Sequence, residues 1–124
     1  VRRAVLLPVS APFHCALMQP AADAMAEALA RVAMQVPAVP VIANVRAAPI
    51  TDPAEIRRCL VEQVTGTVRW RECVERMSAD GVIQFCEIGA GKVLAGLVKR
   101  IAKDAGAISV GVLADIEVAR ALLA

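Results

Sequence analysis

His14 is the only histidine in the chain. It stands in "LPVSAPFHCALM", where an apolar run gives way to a helical pattern. An imidazole placed there is either a hydrogen-bonded structural or surface group, or a general base. The base reading needs a neutral ring at neutral pH, and the positive end of a following helix disfavours the imidazolium. In parallel α/β sheets, the carboxyl end of a strand is also where ligands bind. A base needs a group to activate. Cys15 is adjacent, but successive helical residues point about 100° apart, which is poor geometry for a Cys–His pair. The serines are Ser10, Ser78 and Ser109, and none lies in a G-x-S-x-G elbow. The chain therefore offers a candidate base without a nucleophile.

Gln63 is the second residue of interest. Ile56, Cys59 and Leu60 form an apolar stripe, and the next position on that period is Gln63, which predicts a carboxamide turned inward. Such a group needs hydrogen-bond partners, in a structural or a functional role. "EIGAGKVL", residues 87 to 94, invites a phosphate-loop reading and fails it. A Walker A loop needs Gly at position 86 and Ser or Thr at 93, which are Cys86 and Val93; the dinucleotide fingerprint needs Gly or Ala at 94, which is Leu94. What remains is a Gly-rich strand-to-helix turn whose N–H groups could line a pocket. Lys92, Lys99 and Lys103, with Arg100 beside them, read as one basic side of the helix that follows. That side is either solvated or suited to an acidic partner.

The elements that must position these groups follow from pattern. Residues 3 to 10 read as a buried strand, with Pro8 pointing to an edge or a bend. A helix is predicted from Cys15 to about Met34, its apolar face made of Leu17, Ala21, Met25, Ala28, Leu29 and Val32. "VIANV" is a short strand. Asp52, Pro53 and Glu55 announce a helix to about Val64, through a cap, a first-turn proline and a capping box. Trp70, Cys73, Val74 and Met77 form a helical stripe, and Asp80-Gly81 ends it. "GVIQFCEIG" and "AISVGVL" read as strands flanking a helix from Lys92 to Lys103, and Asp115 can cap a last helix to Leu123. Strands alternating with helices predict an α/β fold with parallel pairing and right-handed crossovers, without a clear internal boundary.

Composition narrows the function classes. The chain has 124 residues, enough for one modest domain, and is 58% hydrophobic with 2% aromatic, which suits a core of small and branched side chains. A net charge of +2 is too small to argue for nucleic acid or an anionic membrane surface. No apolar run nears the roughly 20 residues of a membrane span. Cys15, Cys59, Cys73 and Cys86 form no C-x-x-C pair, so they read as reduced thiols of a cytoplasmic protein, with no metal site. The chain opens at Val1 within a strand pattern, and is expected to be a piece of a longer protein.

"LPVSAPFHCALMQPAADAM", "VPVIANV", "IRRCLVEQVTGTVRW" and "FCEIGAGKVLAGLVKRI" together resemble the C-terminal part of the malonyl-CoA:acyl carrier protein transacylase family, in order from about Leu6 to Ile101. Ala90 is a departure, since the family usually has Pro in that glycine turn. The resemblance implies a partial parallel sheet with flanking helices, the closing part of an α/β-hydrolase-like large subdomain (residues 11–124), after the last strand of a ferredoxin-like small subdomain (residues 1–10). It implies transfer of a malonyl group from coenzyme A to acyl carrier protein through an acyl-Ser intermediate in fatty-acid synthesis, with no cofactor. His14 would be the catalytic histidine. Gln63 would hold the other ring nitrogen through its main-chain carbonyl. Phe13 would favour malonyl over bulkier acyl groups. Lys99 and Arg100 would meet the acidic carrier protein. The nucleophilic Ser, the malonyl-binding Arg and the oxyanion-hole residues have no match here, so this piece alone is expected to be inactive. The alternatives are a polyketide-synthase acyltransferase domain, or a non-catalytic module that binds an acidic partner.

Overall fold

A computed structural model describes residues 11–123. The strand expected over residues 1–10 lies outside the described residues. The chain forms two compact units, Val1–Arg69 and Trp70–Ala124, each of which packs around its own apolar cluster.

In the first unit a single 3-10 turn, Ala16–Met18, leads into α1, Gln19–Ala30. The helix expected from Cys15 therefore starts later. Pro20 sets its first turn, where a missing N–H costs nothing. The helix also ends before Met34, where the N–H of Arg31 is shared between the carbonyls of Ala28 and Leu29. Its one buried residue is Ala22, and it packs on α2, Pro53–Thr65. Of the expected stripe only Leu29 is partly buried, while Leu17, Ala21, Met25, Ala28 and Val32 are exposed. A methyl side chain fits a closely packed position that the larger residues would overfill.

The start of α2 follows its local signals. Asp52 caps it, accepting from the N–H of Ala54 at 3.3 Å and of Glu55 at 3.0 Å, and Pro53 opens the first turn. Ile56 and Cys59 are buried with Ile50, while Met34, Ala43, Val45 and Leu60 pack around them. The strand expected at 41–45 is only Val41–Ile42 (β1), paired antiparallel with Pro49–Ile50 (β2). The parallel expectation fails at this ribbon. A reversal over Ala43–Ala47, closed by bonds from the N–H groups of Arg46 and Ala47 to the Ala43 carbonyl, turns the chain straight back. Proline at β2 lacks a ladder donor, which hides the strand from pattern reading.

The second unit is the α/β part. It runs α3 (Trp70–Ala79), β3 (Gln84–Ile88), α4 (Val93–Ile101), β4 (Gly106–Val110) and α5 (Ala114–Leu123). β3 and β4 pair in parallel, with Gln84 opposite Gly106 and Ile88 opposite Val110, and α4 makes the crossover. Val74, fully buried, centres a cluster with Ala95, Val98 and Ala107. Burial of a valine of this kind stabilises by about 1.5–3 kcal/mol. Trp70 and Met77 flank that cluster, and Cys73 is also buried, as the α3 stripe predicts.

Candidate functional site

His14 sits in a turn ahead of the 3-10 segment, not at the start of α1. Its φ is 57°, in the left-handed region that non-glycine residues rarely enter. Holding a residue there costs about 1–3 kcal/mol, which its surroundings must offset. The ring is solvent-exposed, and its Nδ1 lies 2.9 Å from the main-chain oxygen of Gln63. A carbonyl only accepts, so this contact requires the proton on Nδ1. The neutral ring then keeps its lone pair on Nε2, free for a proton from elsewhere.

The end of α2 makes that carbonyl available. The last four carbonyls of a helix have no intrahelical donor, and Gln63 is in the last turn. Gly66 leaves the helix in an extended conformation, and its N–H bonds the neighbouring Glu62 carbonyl at 2.9 Å. The Gln63 oxygen is left to the imidazole. The Gln63 side chain is half-buried, but its contact with His14 runs through the main chain. The helix end that His14 meets is thus the negative end of α2, where the sequence suggested a positive one.

Two neighbours complete the turn. Phe13, exposed beside His14, bonds the Ala11 carbonyl through its own N–H. The Cys15 thiol donates to the Pro12 carbonyl at 3.1 Å, a contact with no signal in the sequence. In the same unit, Arg46 pairs with Glu62 at 2.8 Å. Its guanidinium is held above its ordinary pKa, first by a hydrogen bond with Cys59 and then by the Glu62 charge.

In the second unit, the Gly-rich turn is not an open anion cradle. Glu87 on β3 reaches over it and accepts from the N–H groups of Leu94 and Ala95 at 3.1 and 2.9 Å, and from the Ser109 hydroxyl at 3.1 Å. The start of α4 is therefore occupied by the chain's own carboxylate. The Ala95 N–H is the main cause that lowers the Glu87 pKa; partial burial opposes it, and Leu94 and Ser109 add to it. Gly89 and Gly91, with φ of 137° and 101°, bend the chain where a Cβ would be strained. Asp115, expected as a cap, is inside α5 and reaches back to the N–H groups of Gly111 and Val112.

Lys99 and Arg100 are exposed in the last turn of α4, where cations suit the helix dipole. The expected basic row is shorter than predicted, because Lys92 stands at the N-cap and Lys103 lies beyond the helix. Of the candidate residues, His14, Phe13 and Gln63 gather in the first unit, while Lys99 and Arg100 belong to the second. All four cysteines are free thiols, with Cys59 and Cys73 buried. Among the described residues, no group of three His, Cys, Asp or Glu could hold a metal ion, and no helix is long and apolar enough to cross a membrane.

No family model matches the chain. A malonyl CoA-acyl carrier protein transacylase of Haemophilus influenzae is 49% identical over 109 residues, covering 88% of this chain and 35% of that protein. The crystal structure of an acyl-carrier-protein-S-malonyltransferase from Bartonella henselae superposes with a TM-score of 0.89 at 58% identity, covering 98% of this chain and 39% of that one. A malonyl-transacylase in complex with its type II PKS acyl-carrier protein superposes with a TM-score of 0.84 at 43% identity, over 95% of this chain and 38% of that one. The chain spans between a third and two fifths of the length of these relatives. In sequence and in fold, then, the chain is similar to a segment of the malonyl CoA-acyl carrier protein transacylases that makes up between a third and two fifths of their length.

Proposed function

We propose that this segment supplies the base of a thioester acyltransferase that moves a malonyl group from coenzyme A to acyl carrier protein in fatty-acid synthesis. The observation that supports it is the 2.9 Å contact between His14 Nδ1 and the Gln63 carbonyl, which leaves Nε2 free. The nucleophile is a serine in the part of the relatives' length that this chain does not span. His14 Nε2 takes the serine proton as Oγ attacks the malonyl thioester carbonyl. The carbon–sulfur bond breaks, and the proton passes to the coenzyme A thiolate. In the second half, Nε2 takes the proton of the carrier's phosphopantetheine thiol. Its sulfur attacks the acyl-serine, the carbon–oxygen bond breaks, and the proton returns to the serine.

The main-chain carbonyl of Gln63 stands in for the carboxylate of a conventional triad, orienting the ring without adding a charge. Phe13, the residue before His14 in the chain, narrows the space for the acyl group. Lys99 and Arg100 face the acidic carrier protein. The described residues, from 11 onward, form the last part of the large subdomain. The enzyme works in the cytoplasm without a cofactor.

The test is a pair of substitutions in the whole transacylase. His14→Ala is expected to cut transfer by about a thousandfold or more. Gln63→Ala is expected to keep turnover within about tenfold of the parent, because the contact is main chain. Near-normal turnover of His14→Ala would overturn the base assignment, and an equal collapse of a folded Gln63→Ala would overturn the role of the carbonyl.

A further inference from the structure

We propose that Cys15 is a positioning residue for His14: its thiol closes the turn that keeps the imidazole on the Gln63 carbonyl. The proposal rests on the acyl-transfer reading of His14 given above.

Pro12, Phe13, His14 and Cys15 form a tight reversal with His14 in the third place. A positive φ at that place is what a type II turn demands, and it is ordinarily met by glycine. Such turns are often closed by a main-chain bond from the fourth residue's N–H to the first residue's carbonyl. In this turn the Pro12 carbonyl also accepts from the Cys15 thiol, at 3.1 Å. The Cys15 carbonyl meanwhile accepts from the N–H of Met18 at 3.0 Å and anchors the turn to the 3-10 segment. The imidazole is exposed, and among the described residues its hydrogen bond is to Gln63. Its direction is therefore set by the backbone beneath it.

Without the thiol bond, His14 can relax toward negative φ. Its Cβ then swings, and the ring leaves the carbonyl. The two nitrogens then share the proton, and Nε2 loses part of its lone-pair population. A hydroxyl at position 15 can make the same bond to Pro12. A methyl or isopropyl group cannot.

In the whole transacylase, the imidazole nitrogen signals of His14 are identified by NMR as those that vanish in His14→Ala, and they report its tautomer directly. The parent should show one tautomer protonated at Nδ1. Cys15→Ala and Cys15→Val should both move the ring nitrogens toward the average of the two tautomers, and Cys15→Ser should keep the parent signals. Valine preserves packing volume, so Val against Ser decides the matter even where Ala fails to fold. In the whole transacylase, Cys15→Val should lower kcat about five- to tenfold with an unchanged KM for the malonyl thioester, and Cys15→Ser should restore it. Parent-like ring signals in Cys15→Val, or a Cys15→Ser spectrum displaced as far as that of Val, would overturn the proposal. A displaced ring in Cys15→Val with undiminished transfer would instead support the turn and overturn the acyl-transfer reading of His14.

Discussion

At the scale of single residues, two positions outside glycine carry a positive φ among the described residues: His14 at 57° and Ala47 at 51°. They invite opposite expectations. His14 is held by bonds on both sides of its turn, and the strain there supports a side-chain direction. Ala47 ends the reversal that brings Pro49–Ile50 back along Val41–Ile42, and its methyl has no comparable task. Ala47→Gly removes a Cβ penalty of about 1–2 kcal/mol in the left-handed region, against a glycine entropy cost of about 0.5–1 kcal/mol. A net gain of about 0.5 kcal/mol follows. It would be read as a higher urea midpoint at unchanged slope, and a lower midpoint would show that the methyl has a packing role.

At the scale of elements, helix termini decide where polar groups go. α2 ends by leaving a carbonyl for His14, and α4 begins on the carboxylate of Glu87. The second arrangement makes a pH prediction. Hydrogen bonds from Ala95, Leu94 and Ser109 lower the Glu87 pKa in the folded state, against the opposing effect of burial. A lowered folded pKa means stability that is present above the unfolded value, about 4.3 for Glu, and is lost as pH falls through the folded one. Replacement by Gln keeps the side-chain shape and removes the charge. The stability difference between the parent and Glu87→Gln should therefore be largest above about pH 5 and shrink as acid is added. Urea unfolding over a pH series measures it, and a difference that stays constant into acid would show that the charge is not what holds the turn.

At the scale of the whole molecule, the segment carries two sets of functional candidates, one in each compact unit: the imidazole with its carbonyl, and the cations at the end of α4. In the proposed reaction they serve different partners, and that separates their effects. Lys99→Glu with Arg100→Glu in the whole transacylase should raise KM for the acidic carrier protein about tenfold and leave coenzyme A kinetics within about twofold. A matched loss with both acyl donors, accompanied by a lower melting temperature, would point to damage at α4, since those cations also sit on the negative end of its dipole.

The sequence by itself determined what depends on near neighbours. Asp52, Pro53 and the Ile56–Cys59–Leu60 period specify α2 almost to the residue, and the Trp70–Met77 stripe and the strand–helix–strand pattern from Gln84 to Val110 specify the parallel pair. Capping and periodicity act within a turn or two of chain, so composition at fixed spacing reveals them. The Pro49–Ile50 strand, the face α1 buries, the reach of Glu87 to α4 and the thiol beneath His14 came only from the folded chain. The bond from His14 to Gln63 is of the same kind. It joins residues 49 apart through a peptide oxygen that every residue possesses, so no side-chain type marks it, and only the packing of one element against another decides which carbonyl meets the ring.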